Sequence, residues 1–93
     1  MGDTEKLARI FKALSVETRV RMIELLKRRP FCVNALARAL EITPAAVSQH
    51  LRVLRGADIV KADKQGYYVH YQVKEETLAD WNRTAKSLLE MNE

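Results

Sequence analysis

Ninety-three residues with 47% hydrophobic and 30% charged side chains fit one soluble globular domain, spanning 1–93, with too little chain for a second core. The single cysteine, Cys32, excludes an intrachain disulfide and a cysteine-rich zinc framework, and no apolar run approaches the roughly 18 residues of a membrane span. Charge is uneven: residues 1–74 hold 14 Lys/Arg against 7 Asp/Glu, and residues 75–93 hold 2 against 5, so a basic body suited to a polyanion carries an acidic last segment.

The first residues, Met1 to Lys6, are polar and lack the apolar core of a signal peptide, so a cytoplasmic protein is expected. Leu7, Ile10, Phe11 and Leu14 fall at i, i+3, i+4 and i+7, which predicts a helix over 5–14 with one buried face. Ser15 stands where the N-cap of a second helix belongs, with Glu17 and Thr18 in the following turn. Val20, Met22, Ile23, Leu25 and Leu26 make that helix apolar almost all round, hence central. Lys27, Arg28 and Arg29 place cations at the negative end of its dipole, and Pro30 stops it.

A short third helix turns Val33, Leu36, Ala37 and Leu40 inward. After Glu41 and Ile42, Thr43 caps a fourth helix and Pro44 takes its first position. That helix runs to about Ala57 with Val47, Leu51 and Leu54 inward, and the short interval between the two predicts a helix-turn-helix over 33–57. The period then changes. Ile59 and Val60 open an extended segment, Gln65 and Gly66 mark a tight tip, and Val69, Tyr71 and Val73 alternate with Tyr68, His70 and Gln72. A hairpin over 59–73 and a last helix over 75–91, with Glu75 and Glu76 at its positive end, complete the order. The expected architecture is mainly α with a small β-hairpin, a winged helix-turn-helix.

A recognition helix points its N-terminal residues at base edges in the major groove. Ala45, Ser48, Gln49 and Arg52 share one face of the fourth helix, small where backbone comes close and hydrogen-bonding elsewhere. Gln pairs with adenine, Arg with guanine or a phosphate, and Ser with either a base or a phosphate. Thr43, at the start of this helix, is expected among the DNA-binding residues, and His50 lies to the side, placed to touch a phosphate or to bridge to a neighbouring helix. Lys61, Lys64 and Gln65 are expected on or near the wing tip, against phosphates or the minor groove. The expected partner is double-stranded DNA.

The run Ala13-Leu14-Ser15-Val16-Glu17-Thr18-Arg19-Val20-Arg21-Met22-Ile23-Glu24-Leu25-Leu26 resembles the opening helix signature of the ArsR family of bacterial and archaeal repressors, and Ala46-Val47-Ser48-Gln49-His50-Leu51-Arg52-Val53-Leu54-Arg55 resembles its recognition helix. The likeness covers roughly residues 5–90. One departure is Asp58, where the family usually has glycine; Asp tolerates the left-handed conformation better than most residues. The resemblance implies a homodimer that binds an inverted repeat in its own promoter and releases it when an inducer binds.

Leu78, Trp81, Ala85 and Leu88 lie at three-four spacing on the last helix, either packing on their own domain or forming a dimer around Trp81. In the resembled family this helix pairs with the first, which adds Leu7 and Phe11 to the expected interface. A two-fold dimer sets two recognition helices about 34 Å apart and asks for a near-palindromic operator.

The family's known metal sites are not matched. Where one uses Cys-Val-Cys, this chain has Cys32-Val33-Asn34, and soft ions need two or three thiolates together. Where another uses Asp and His on the last helix, Asp80 is present but Asn82 takes the next ligand position and residues 74–93 hold no histidine. No metal and no cofactor are therefore expected. Cys32 reads as a structural thiol or as a redox sensor at a helix start, and any small-molecule or redox inducer is unidentified.

No Gly-rich phosphate loop or Cys-His pair at motif spacing suggests an enzyme. The alternative from another class is a winged-helix protein-interaction module, which would more naturally carry apolar residues in place of Ala45, Ser48, Gln49 and Arg52.

Overall fold

The computed structural model describes residues 2–91. Its elements in chain order are α1 (Asp3–Ala13), α2 (Glu17–Leu26), α3 (Val33–Leu40), α4 (Pro44–Gly56), β1 (Val60–Gln65), β2 (Tyr68–Val73) and α5 (Glu75–Leu89).

The apolar face of α1 buries Ile10 and Ala13, while Leu7 and Leu14 are half-buried and Phe11 stays 41% exposed. The junction that follows is held from the side of α1. Ser15 Oγ donates to the Lys12 carbonyl (2.8 Å), and Arg19 donates to the carbonyls of Ala13 (2.7 Å) and Lys12 (3.1 Å). Ser15 therefore closes α1 and does not cap α2, whose N-cap is Val16 with no side-chain hydrogen bond. The hydroxyl is committed to an orphan carbonyl at the preceding helix end, one of the four that every helix leaves.

Helix α2 buries Met22, Ile23 and Leu26, but Val20 is 39% exposed, so its buried surface is a stripe and not the whole circumference. Leu36, Ala37 and Leu40 of α3 and Val47, Leu51 and Leu54 of α4 meet Met22 and Ile59 in one apolar cluster. No polar or charged residue is buried among the described residues, so the centre is held by apolar burial alone.

Both helices of the helix-turn-helix end in the same way. Glu41 takes φ 57°, with its N–H on Arg38 (3.4 Å) and the Ile42 N–H on Ala37 (3.1 Å); Asp58 takes φ 64°, with its N–H on Arg55 (2.9 Å) and the Ile59 N–H on Leu54 (3.1 Å). These paired bonds are Schellman closures, each with an acidic residue in the left-handed position and an isoleucine after it. Only the left-handed conformation at Asp58 was expected from the sequence.

β1 and β2 pair antiparallel from Val60↔Val73 to Gln65↔Tyr68, leaving Gly66 and Tyr67 as a two-residue loop. Gly66 has φ +63°, the conformation such a tip requires and glycine adopts without a steric penalty. The expected in-out alternation along β2 is absent: Tyr68 is exposed, Val69 to Gln72 are half-buried and only Val73 is buried. The ribbon leaves the core at its base, so depth falls along its length and outweighs the period of two. Phe31 adds a short third rung, exchanging two backbone hydrogen bonds with Tyr71 (3.1 and 2.7 Å), with its ring buried and the Arg29 guanidinium 3.9 Å above the ring centroid. Sequence periodicity gave no sign of this bridge.

Helix α5 ends at Leu89, two residues before the expected boundary. It lies along α1, joined by an ion pair between Lys6 and Asp80. Trp81 is buried in its own protomer, Leu78 and Ala85 are half-buried, and Leu88 is 54% exposed.

Candidate nucleic-acid interface

Helix α4 begins with a cap that the residues dictate. Thr43 Oγ1 accepts from the Ala46 N–H (3.1 Å) and Pro44 fills the first turn, where its missing N–H is no loss. Because Val47, Leu51 and Leu54 are drawn into the core, Ala45, Ser48, Gln49 and Arg52 are left exposed along the opposite side. All four sequence-predicted positions thus share one solvent-facing surface, starting at the exposed Thr43.

His50 is half-buried. Burial first, and the Arg19 charge second, hold its imidazole below the usual histidine range, which favours the neutral ring. His50 lies beside the exposed row, near enough to Arg19 of α2 to feel its charge.

The wing residues divide. Lys64 and Gln65 lie at the tip, exposed, with Gln65 Nε2 donating to Asp63 Oδ2 (3.1 Å). Lys61 does not. Paired with Gln72 near the base of the ribbon, it lines a cleft with Lys27, Arg29, Glu75 and Glu76, because the strand runs four more residues before it turns. Tyr67 and Tyr68 occupy the tip as well, at 101% and 71% exposure, although sequence reasoning did not single them out. Their position next to the turn glycine was the available signal. Arg55 was also missed; it continues the Ser48–Arg52 line by one helical turn and lines a cleft against Tyr71.

On the far side, Ile10, Phe11, Leu14, Leu78, Trp81 and Ala85 line an apolar groove between α1 and α5. Phe11 and Leu88 are the expected interface residues that leave most surface open, whereas Trp81 is largely spent on its own core. Leu7, Leu78 and Ala85 fall between.

Cys32 is half-buried at the start of α3. Asp80 is engaged by Lys6 and by Arg83, and the hydrogen bond from Lys6, with both cationic charges, keeps its carboxyl below the usual range. No cluster of three or more His, Cys, Asp and Glu side chains forms among the described residues, and no helix among them is long and apolar enough to cross a membrane.

The family model described as bacterial regulatory protein, arsR family, matches residues 17–62. The chain is 34% identical over 73 residues to a protein named transcriptional repressor SmtB homolog of Synechocystis sp., covering 78% of this chain and 55% of that one. It is 34% identical over 81 residues to an uncharacterized HTH-type transcriptional regulator of Methanocaldococcus jannaschii, covering 86% of this chain and 91% of the relative. Among solved structures, an ArsR-like transcriptional regulator from Rhodococcus sp. RHA1 superposes with a TM-score of 0.83 at 30% identity, over 95% of this chain and 83% of the other. With the α1–α5 order, the capped recognition helix and the hairpin wing, these similarities establish that the chain belongs to the ArsR family of winged helix-turn-helix transcriptional regulators, which are not enzymes.

Proposed function

We propose that the chain is a sequence-specific transcriptional repressor that binds a near-palindromic operator as a homodimer. One observation carries the reading: Ala45, Ser48, Gln49 and Arg52 form an exposed, polar, uncluttered row on α4, the helix that follows the turn. Small and hydrogen-bonding side chains in that row suit base edges and phosphates, and the exposed Val53, one turn after Gln49, lies beside the row and not in it. Lys64 and Gln65, exposed at the wing tip, support a second contact, against backbone or minor groove.

Dimerisation in this reading runs through α1 and α5. Supporting it are the apolar groove between them and the exposed Phe11, Leu88 and Leu89. Their two-fold pairing sets two copies of α4 about one DNA turn apart, roughly 34 Å.

Purified protein titrated by fluorescence anisotropy against DNA from immediately upstream of its own gene, with random duplex as control, tests the proposal. Discrimination by a factor of about 10³ or more, weakening steeply with salt, is the expected result. Equal, weak binding to both duplexes contradicts autoregulation through that site.

A further inference from the structure

Ser48, Leu51, Arg52, Arg55, Gly56 and Tyr71 line a cleft where the C-terminal half of α4 meets the middle of β2. Its chemistry is one-sided. Arg52 and Arg55 stand three residues apart on one helix, both exposed, and neither guanidinium has an ion pair or hydrogen bond among the described residues. No carboxylate lines the cleft. Like charges at this spacing repel modestly on an isolated helix; an anion seated between them reverses the sign of that interaction.

The opposite wall is fixed. Tyr71 is tied through both its backbone N–H and carbonyl to Phe31, whose ring is buried. The wing strand is thereby anchored to the core at the point where it faces the helix. Ser48 adds a hydroxyl, and Gly56 carries no side chain to close the end of the cleft.

We propose that this cleft is a phosphate site, holding one phosphodiester of the DNA backbone between α4 and the wing, with Arg52 and Arg55 as its cationic donors. The inference rests on the DNA-binding reading and extends it. A strand that passes from the major groove under α4 to the minor groove under the wing carries its phosphates through the gap between the two elements. The planar guanidinium fork matches phosphate oxygens in a way an ammonium does not. Arg52 is then a backbone contact, as is Ser48, and base reading falls to Ala45 and Gln49.

The test is the salt dependence of binding to a fluorescein-labelled random-sequence duplex, compared across a sodium chloride series for the parent, Arg55→Ala and Arg55→Lys, with thermal melts to confirm equal folding. Each neutralised phosphate contributes about 0.9 to the slope of log affinity against log salt. Arg55→Ala is expected to lower the slope by about that amount and to weaken binding to every sequence alike, whereas Arg55→Lys keeps the slope and loses only affinity. A steep parent slope unchanged in Arg55→Ala overturns the phosphate site and leaves DNA binding standing. A parent that does not bind duplex at all overturns both.

Discussion

Asp58 and Lys74 close the base of the wing: the ammonium of Lys74 lies 2.7 Å from Asp58 Oδ1, while the Lys74 N–H bonds the Ile59 carbonyl at 2.9 Å. The residue that turns the chain out of α4 is thus joined to the one that leads it into α5. The side chain Asp58 brings in place of glycine has a job here, since glycine has no carboxylate to offer Lys74.

The pair sets a pH dependence with a definite sign. The hydrogen bond from Lys74 is the main reason that the Asp58 carboxyl lies below its usual range, and the same bond raises the Lys74 ammonium. A lowered carboxyl stabilises the fold above the unfolded value of about 3.9 and loses that contribution as pH falls through the folded value; the raised ammonium loses its own only above about 10.4. Asp58→Asn tolerates the same backbone turn without the charge. The melting temperature of the parent is expected to exceed that of Asp58→Asn by a small, constant margin between about pH 5 and pH 9, and the margin should shrink on acidification below that window. A margin that persists undiminished in acid contradicts the assignment.

His50 adds a second loss of stability on acidification, at a higher pH than the carboxyl. Burial and Arg19 favour its neutral form, so the unfolded chain binds the proton more readily. Stability is lost as pH falls below the unfolded histidine value, about 6.5, toward the lower folded value. The parent should melt earlier on moving from neutral to mildly acidic buffer, and His50→Gln should remove part of that drop. An imidazole that titrates by NMR at or above the usual histidine range excludes this account.

Thr43→Ala removes the hydrogen bond to the Ala46 N–H while leaving Pro44 in place. A loss of about 1 kcal/mol is expected, typical of an N-cap hydroxyl, which in a domain of this size lowers the melting temperature by about 4–8 °C. Denaturation without DNA reads this directly. An unchanged midpoint shows that the cap is solvent-replaceable.

The proposed dimer is tested at the two expected residues that expose most apolar surface, Phe11 and Leu88. Phe11→Glu with Leu88→Glu places a charge in each apolar face, and desolvating those charges opposes association. Sedimentation equilibrium should show a dimer for the parent and a monomer for the double variant, with circular dichroism unchanged. A monomeric parent at micromolar concentration removes the α1–α5 interface from the account.

Much of this architecture was readable because local chemistry and tertiary position agree. Thr43 and Pro44 mark a helix start, Gly66 a hairpin tip, and Val47, Leu51 and Leu54 a buried stripe, and each signal is complete within a few residues of chain. Other features arise between distant segments and leave no such local mark. The Phe31–Tyr71 rung joins residues forty positions apart. Ser15 had two helix ends within reach, and only the position of the Lys12 carbonyl decides between them. Lys61 read as a tip residue because its spacing to Lys64 is short, yet an extended strand rises about 3.3 Å per residue, enough to carry the two to different parts of the ribbon. Trp81 shows the same limit for burial: its place on the helical stripe was evident, but whether its own core or a partner covers it depends on how α5 lies across α1.

The central claim, that the exposed row on α4 reads base sequence, is tested most directly at Gln49. Duplexes that bind the parent most tightly are selected from a random pool, and affinity for the selected and the random duplex is then measured for parent and Gln49→Ala. The account predicts that the variant loses about 1 to 3 kcal/mol on the selected duplex and almost nothing on the random one, so that discrimination collapses while the nonspecific salt dependence survives. Equal affinities of parent and variant for both duplexes, with discrimination intact, would show that this face of α4 is not the reading surface.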